Sequence, residues 1–268
     1  MQVHQNKKFI KIIFILFFLI NTSLYSKDSH LDIGVGIASL YYPSYLGSKS
    51  TQTLTLPIPY VRYKSKYLDI DENGLSSKLF GMDDLRFEMS FSGSLPANSE
   101  DSKVREDMPD LDLTSEMGFQ IIYNIYEHGV AQLQFEFPIR TVFSTDFTHI
   151  TYRGVTSTPQ LKYSLNYKRV KFTIRSGFII SNRYYNNYFY EVKEKYVTSD
   201  RVAYESSSGF GGFKNEIGVS YKKNQWWGGA FISHYNINNA VFKDSPLVES
   251  NDGIYMGIAT AYIFYTDN

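Results

Sequence analysis

Leu85-Arg86-Phe87-Glu88-Met89-Ser90-Phe91-Ser92 alternates large apolar side chains with charged or hydroxyl ones without a break. Successive side chains of a β-strand point to opposite faces, so this octet has one apolar and one polar face. The same rhythm returns along most of the chain. Leu31-Ile33-Val35-Ile37 alternate with Asp32, Gly34, Gly36 and Ala38, and Leu54-Leu56-Ile58-Tyr60 with Thr53, Thr55, Pro57 and Pro59. Leu111 to Tyr123 and Leu133 to Ile139 follow the pattern, as do Leu161-Tyr163-Leu165 and Val170-Phe172-Ile174. Three more such runs lie at 213–221, 225–235 and 253–265. Two prolines on one face of a strand weaken its ladder, so the segment around Pro57 and Pro59 is expected to be short, bulged or kinked.

The chain has 268 residues, and its aromatic fraction of 17% is high for an otherwise ordinary composition. Its mean hydropathy of -0.28 matches a soluble protein, but it also suits a membrane barrel, whose lumen and loop residues dilute the lipid-facing ones. Aromatic rings gather where a barrel crosses the two membrane interfaces. The start reads as a secretory leader, with Lys7, Lys8 and Lys11 before an apolar run at 12–20 and a cleavage region ending at Ser26. Residues 1–26 are therefore expected to be removed, leaving 27–268 as one barrel domain. The apolar run is too short to span a bilayer, which takes about 20 residues. Losing three lysines and no acids from a chain with 27 of each charge leaves a net charge of −3, which argues against nucleic-acid binding. With no cysteine, neither disulfides nor thiolate metal sites contribute.

These segments predict an all-β, antiparallel transmembrane β-barrel of about 12 strands. Merging the pair split at Asn73-Gly74 lowers the count to 10 or 11. The connectors fall into two classes. Those at one end are short, near 64–65, 81–84, 126–129, 166–169 and 222–224. Those at the other end are long: 43–52, 96–110, 191–209 and 236–252. Short periplasmic turns and long extracellular loops are the habit of outer-membrane barrels. An exported antiparallel sandwich would alternate in the same way, but the strand lengths and the one-sided loops favour the barrel. Gly257, Tyr262 and Phe264 form a spaced pattern similar to the C-terminal signal of assembled barrels, although Tyr265 to Asn268 extend beyond it.

The polar faces collect Arg86, Arg140, Lys162, Lys171, Arg175 and Lys214 against Glu88, Asp112, Glu116, Glu136 and Glu216, with Gln134 among them. Paired across strands, they are expected to fill the lumen as a polar network; lining a small channel is the alternative. Catalysis needs a nucleophile with a base in reach. Of the five histidines only His234 merits comparison with the outer-membrane lipid A deacylases, and Ser233 beside it points to the opposite face. Glu106, Asp107, Asp110 and Asp112 form an acidic patch without the spacing of an EF-hand. No catalytic residue, metal or cofactor is expected.

Three segments together resemble the MipA/OmpV family (the MltA-interacting protein family) of outer-membrane proteins. The first is Tyr41-Tyr42-Pro43-Ser44-Tyr45-Leu46-Gly47-Ser48, continuing to Pro57, Pro59, Tyr60 and Asn73-Gly74. The second is Arg105-Glu106-Asp107-Met108-Pro109-Asp110-Leu111-Asp112, leading to Glu116 and Gly118. The third is Lys243-Asp244-Ser245-Pro246-Leu247-Val248. The resemblance implies a Gram-negative outer-membrane barrel in contact with outer-membrane lipid. It also implies a scaffold role linking a murein transglycosylase to a murein synthase, and no catalytic residues.

Overall fold

The computed structural model describes residues 29–66, 68–71, 74–82 and 84–267. The leader assigned to residues 1–26 lies outside them, as does Asn73 of the expected turn. Thirteen strands form one antiparallel sheet. They are β1 (His30–Pro43), β2 (Thr51–Lys64), β3 (Leu68–Asp71), β4 (Gly74–Met82), β5 (Leu85–Ser94), β6 (Leu113–His128) and β7 (Ala131–Thr145). They continue as β8 (Ile150–Ser157), β9 (Gln160–Tyr167), β10 (Val170–Ser181), β11 (Gly209–Lys223), β12 (Trp226–Asn236) and β13 (Asp252–Asp267). One helix, α1 (Arg183–Tyr190), precedes β11.

The sheet closes on itself because β1 pairs with β13 as well as with β2. The upper half of β7 pairs with β8 and its lower half with β9. These two are one wall strand interrupted at Thr158-Pro159, so the ring has 12 staves. Closure leaves no row of unpaired groups at the seam, which is what allows a sheet to stand in lipid.

Burial is inside out. Phe119 is 64% exposed and Ile258 66%, whereas Glu88 is 5% exposed and Gln134 4%. The apolar sides of β6, β10, β11 and β13 form the outer surface, far more exposed apolar area than a soluble monomer tolerates. The polar sides point into the lumen.

Two local readings change. β2 runs straight and in register with β1 through all 14 of its residues, Pro57 and Pro59 included. An unbroken ladder on the β1 flank means that the nitrogens lacking a hydrogen face the other flank, where no partner is lost. Cross-strand partners share a face, so Arg62 opposite the buried Asp32, and Leu56 opposite the lumen-lining Ala38, put the apolar set of β2 inside. The threonines and prolines of β2 face outward, the reverse of the other strands.

Candidate functional site

The lumen holds a cavity of about 1020 Å³ bounded by side chains from most of the staves. On the side of β5 to β11 its wall is charged. Arg140 is the hub: its guanidinium donates to Glu116 on β6 (2.9 Å), Ser90 on β5 (3.1 Å) and Thr158 at the β8–β9 break (2.7 Å). Gly118 stands opposite Arg140, and a Cβ there would meet the carbonyl oxygen of Ile139 at 1.9 Å. Glu136 accepts from Lys162 (3.0 Å) and Gln160 (2.7 Å). Glu216 accepts from Arg175 (2.5 Å) and Ser233 (2.7 Å), with Lys214 at 3.3 Å. Arg86 pairs with Glu88 (3.2 Å) and donates to Asn124, which also accepts from Gln134 (2.8 Å). Near the short-turn end, the fully buried Asp32 is held by Lys222 (2.5 Å) and Thr266 (2.8 Å). Lys171 lines the same cavity. Asp112 lies apart, at the loop end, 3.7 Å from Arg153.

The charges are less even than a count of the polar faces suggests. Arg62, Lys64 and Lys78 join the cavity wall, while Glu116 and Asp112 do not. Among the described residues, nine cationic side chains line it against four anionic ones. The opposite side, from β12 through β13 and β1 to β2, is small or apolar: Phe231, Gly229, Gly257, Ala259, Ala38 and Leu40.

The long loops do not hang free. Residues 44–50, 95–112, 182–208 and 237–251 pack into a cap with its own buried core of Tyr45, Ala97, Leu111, Phe189, Tyr190, Ile237, Ala240 and Phe242. Met108, Val192 and Leu247 form a second cluster. Helix α1 starts where Asn182 accepts from the backbone N–H of Tyr185 (3.0 Å), a side-chain N-cap. It lies against β8 because Gly154 has no side chain: a Cβ there would meet Asn182 Oδ1 at 2.3 Å. The cavity lining includes no residue of α1 or of the cap loops, so the cap sits above it at the loop end.

The three motifs quoted above meet in this cap. Tyr45 donates to the carbonyl of Leu247 (2.7 Å), and its ring lies 5.5 Å from the Arg105 guanidinium. Arg105 donates to the carbonyls of Phe189 (2.9 Å) and Pro109 (3.1 Å). Ser245, between Asp244 and Pro246, donates to the carbonyl of Tyr190 (2.8 Å), whose own hydroxyl donates to the carbonyl of Leu46 (3.0 Å). Gly47, at φ 92, turns the first loop so that its carbonyl accepts from Glu249 and Ser250. Asp110 accepts from Ser99 (2.9 Å from its hydroxyl) rather than facing a metal. Tyr42 donates to Gln52 beside the buried Pro43. Tyr60 packs its ring on Trp227 inside the lumen. Burial pushes the Tyr45 hydroxyl up to about 12 and that of Tyr190 well above the ordinary tyrosine range. Burial likewise lowers the pKa of Arg105.

The remaining histidine candidate separates as its strand position requires. Ser233 is buried and bonded to Glu216, whereas His234 lies outside, 3.0 Å from Asp252.

Among solved structures, the chain is similar to OmpT, an outer membrane protein of Vibrio cholerae. The TM-score is 0.37 at 10% identity, covering 88% of this chain and 99% of that one. It is also similar to the outer membrane protease OmpT of Escherichia coli, at TM-score 0.31 and 11% identity over 91% and 99% of the two chains. The toluene transporter TbuX of Ralstonia pickettii matches at TM-score 0.29 and 7% identity over 90% and 91%. Likeness at this distance says nothing of activity. No curated protein shows significant sequence similarity to the chain. The model of the family described as MltA-interacting protein MipA matches residues 35–264, from β1 to β13. The chain belongs to the MltA-interacting protein MipA family and is an outer-membrane β-barrel.

Proposed function

We propose that the protein is a non-enzymatic outer-membrane scaffold that holds murein-remodelling proteins at its periplasmic end. The cap carries this reading. A porin keeps its loop-end mouth open to solutes, whereas here four loops and α1 fold over it around a buried core. The family description, MltA-interacting protein, points to a murein transglycosylase as one partner, and a murein synthase is the second partner that the family resemblance implies. Short turns in the periplasm bring the barrel's lower rim towards murein. That rim carries Lys66, Lys168, Arg169 and Lys223 besides Asp84, Glu127 and Asp267 among the described residues, and the basic side chains suit acidic partners.

Crosslinking of intact envelopes followed by affinity capture tests the reading. Native protein is expected to recover a transglycosylase of the MltA kind. The variant Lys168→Glu/Arg169→Glu/Lys223→Glu, folded but reversed in charge, is expected to lose it. Recovery of no murein enzyme by the native chain refutes the scaffold. Single-channel steps in planar bilayers would establish the channel instead.

A further inference from the structure

Among the described residues, part of the barrel wall between β2 and β5 is left unfilled. β2 has 14 residues, yet on its flank away from β1 it pairs with β3 only at Tyr63 and Lys64. From 51 to 59 no described residue pairs with that flank. Across the gap, β5 pairs with β4 only as far as Ser90, and Phe91 to Ser94 have no partner on that side among the described residues. The β3–β4 hairpin therefore fills only the short-turn half of the space between β2 and β5. A window is left above it, bounded at the top where the Ser50 hydroxyl donates to the Asp101 carbonyl (2.6 Å). An unpaired strand edge facing lipid costs several kcal/mol for each unsatisfied group. Pro57 and Pro59 turn their donor-less nitrogens to this flank, so the edge is adapted to standing open.

What lies behind the window matches it. The cavity wall on this side is apolar over Ala38, Leu40, Ala259 and Phe231, and Leu54, Leu56 and Ile58 on the inward face of β2 stand beside it. A trough of this kind is out of place in a water-filled lumen. The cavity lining reaches Phe91 and Ser92 on the β5 edge, at the window. At its lower end stand Arg62 and Lys64, across the strands from Asp32 and Asp69, within a wall where described cations outnumber described anions. Ligand pockets typically enclose about 300–1,000 Å³, and this cavity of about 1020 Å³ has room for a long acyl chain.

We infer that the lumen binds a membrane amphiphile with an acyl chain and an anionic head, admitted sideways between β2 and β5. The chain lies along the β12–β13–β1–β2 trough, and the head meets Arg62 and Lys64. This site is independent of the scaffold reading, since it uses the lumen and not the lower rim.

The test uses full-length protein refolded in phosphatidylcholine vesicles and a benzophenone-labelled C16 fatty acid as photoprobe. Heat-modifiable electrophoretic mobility reports that each variant is folded. Labelling is expected to saturate, to map to Ala38, Leu40 or Phe231, and to be competed by oleate or lysophosphatidylglycerol. The stronger competitor identifies a free acid or a phospholipid as the source. Ala259→Trp, which fills the trough, is expected to abolish labelling. Arg62→Glu/Lys64→Glu should weaken competition by oleate by about tenfold, one lost charge-assisted contact, and leave competition by oleyl alcohol unchanged. Labelling that does not saturate, or that falls only on outward side chains such as Val35 and Ile37, overturns the inference. So does labelling unchanged in Ala259→Trp.

Discussion

Replacing Arg140 by methionine tests whether the lumen network holds the barrel together. The guanidinium joins β5, β6 and the β8–β9 break through three hydrogen bonds, with its side chain 11% exposed and that of Glu116 10% exposed. Arg140→Met keeps the aliphatic volume but strands the Glu116 carboxylate. Breaking one side of a buried pair costs about 3–5 kcal/mol. Because Arg140 borders the cavity, hydration relieves part of this loss, and the lower end, about 3 kcal/mol, is expected. Glu116→Gln alone should cost a similar amount, since the cation then keeps only two hydroxyl partners. The double variant leaves no unpaired charge and should fall short of the sum by about 2 kcal/mol. Urea unfolding in phosphatidylcholine vesicles, followed by the fluorescence of Trp226 and Trp227, measures all three. A single-variant loss below about 1 kcal/mol, or strict additivity, refutes the idea that these charges act as a structural pair.

Alkali should open the cap before the barrel. Tyr45 is buried and its pKa is raised, so its contribution is complete below the unfolded value of 10.0 and is lost as pH climbs to about 12. That loss amounts to roughly 3 kcal/mol, and Tyr190 pulls the same way. Near-ultraviolet circular dichroism of the stacked Tyr190–Phe242 pair should fade over this range while far-ultraviolet strand signal persists; simultaneous loss of both counts against a separate cap. Gly154→Ala places a methyl group against Asn182 and Tyr185 and should unseat α1, read as faster trypsin cutting at Lys193, Lys195 or Arg201. Asn182→Ala removes an N-cap and should cost about 1 kcal/mol of cap stability in the same assay, with no change in barrel unfolding. Pro57→Val/Pro59→Val restores two N–H donors on the open flank of β2 and should promote edge-to-edge dimers, detectable by analytical ultracentrifugation in detergent.

Much of this architecture was legible because charge marks the inside. In β5, β6, β10 and β11 a charged side chain on one face settles which face meets lipid. In β2 the alternation is just as clear, but neither face carries a charge before Arg62, so periodicity could not say that Leu54, Leu56 and Ile58 turn inward. The wall strand through β8 and β9 was visible only at 161–165, because Thr158-Pro159 interrupts it and Gly154 thins the pattern above. Helix α1 escaped notice for a different reason. Arg183–Tyr190 holds four tyrosines, a phenylalanine and two asparagines, poor helix formers held by packing. Asn182 before it was the available start signal. The cap core draws Tyr45, Leu111, Ile237 and Phe242 from separate loops, where no period links them. The cationic surplus of the lumen was missed because Glu116 and Asp112 were counted on its wall and Arg62, Lys64 and Lys78 were not.

The seam between β1 and β13 carries a consequence for how the molecule is made. Its two sides are supplied by the first and last strands of the sheet, and they meet over glycine: a Cβ on Gly36 would collide with the carbonyl of Thr260 at 2.3 Å. The cylinder thus resembles a zip that engages only after every other stave is in place. Until then both lateral rims of the curved sheet stand bare, and a side chain at Gly36 would hold them apart.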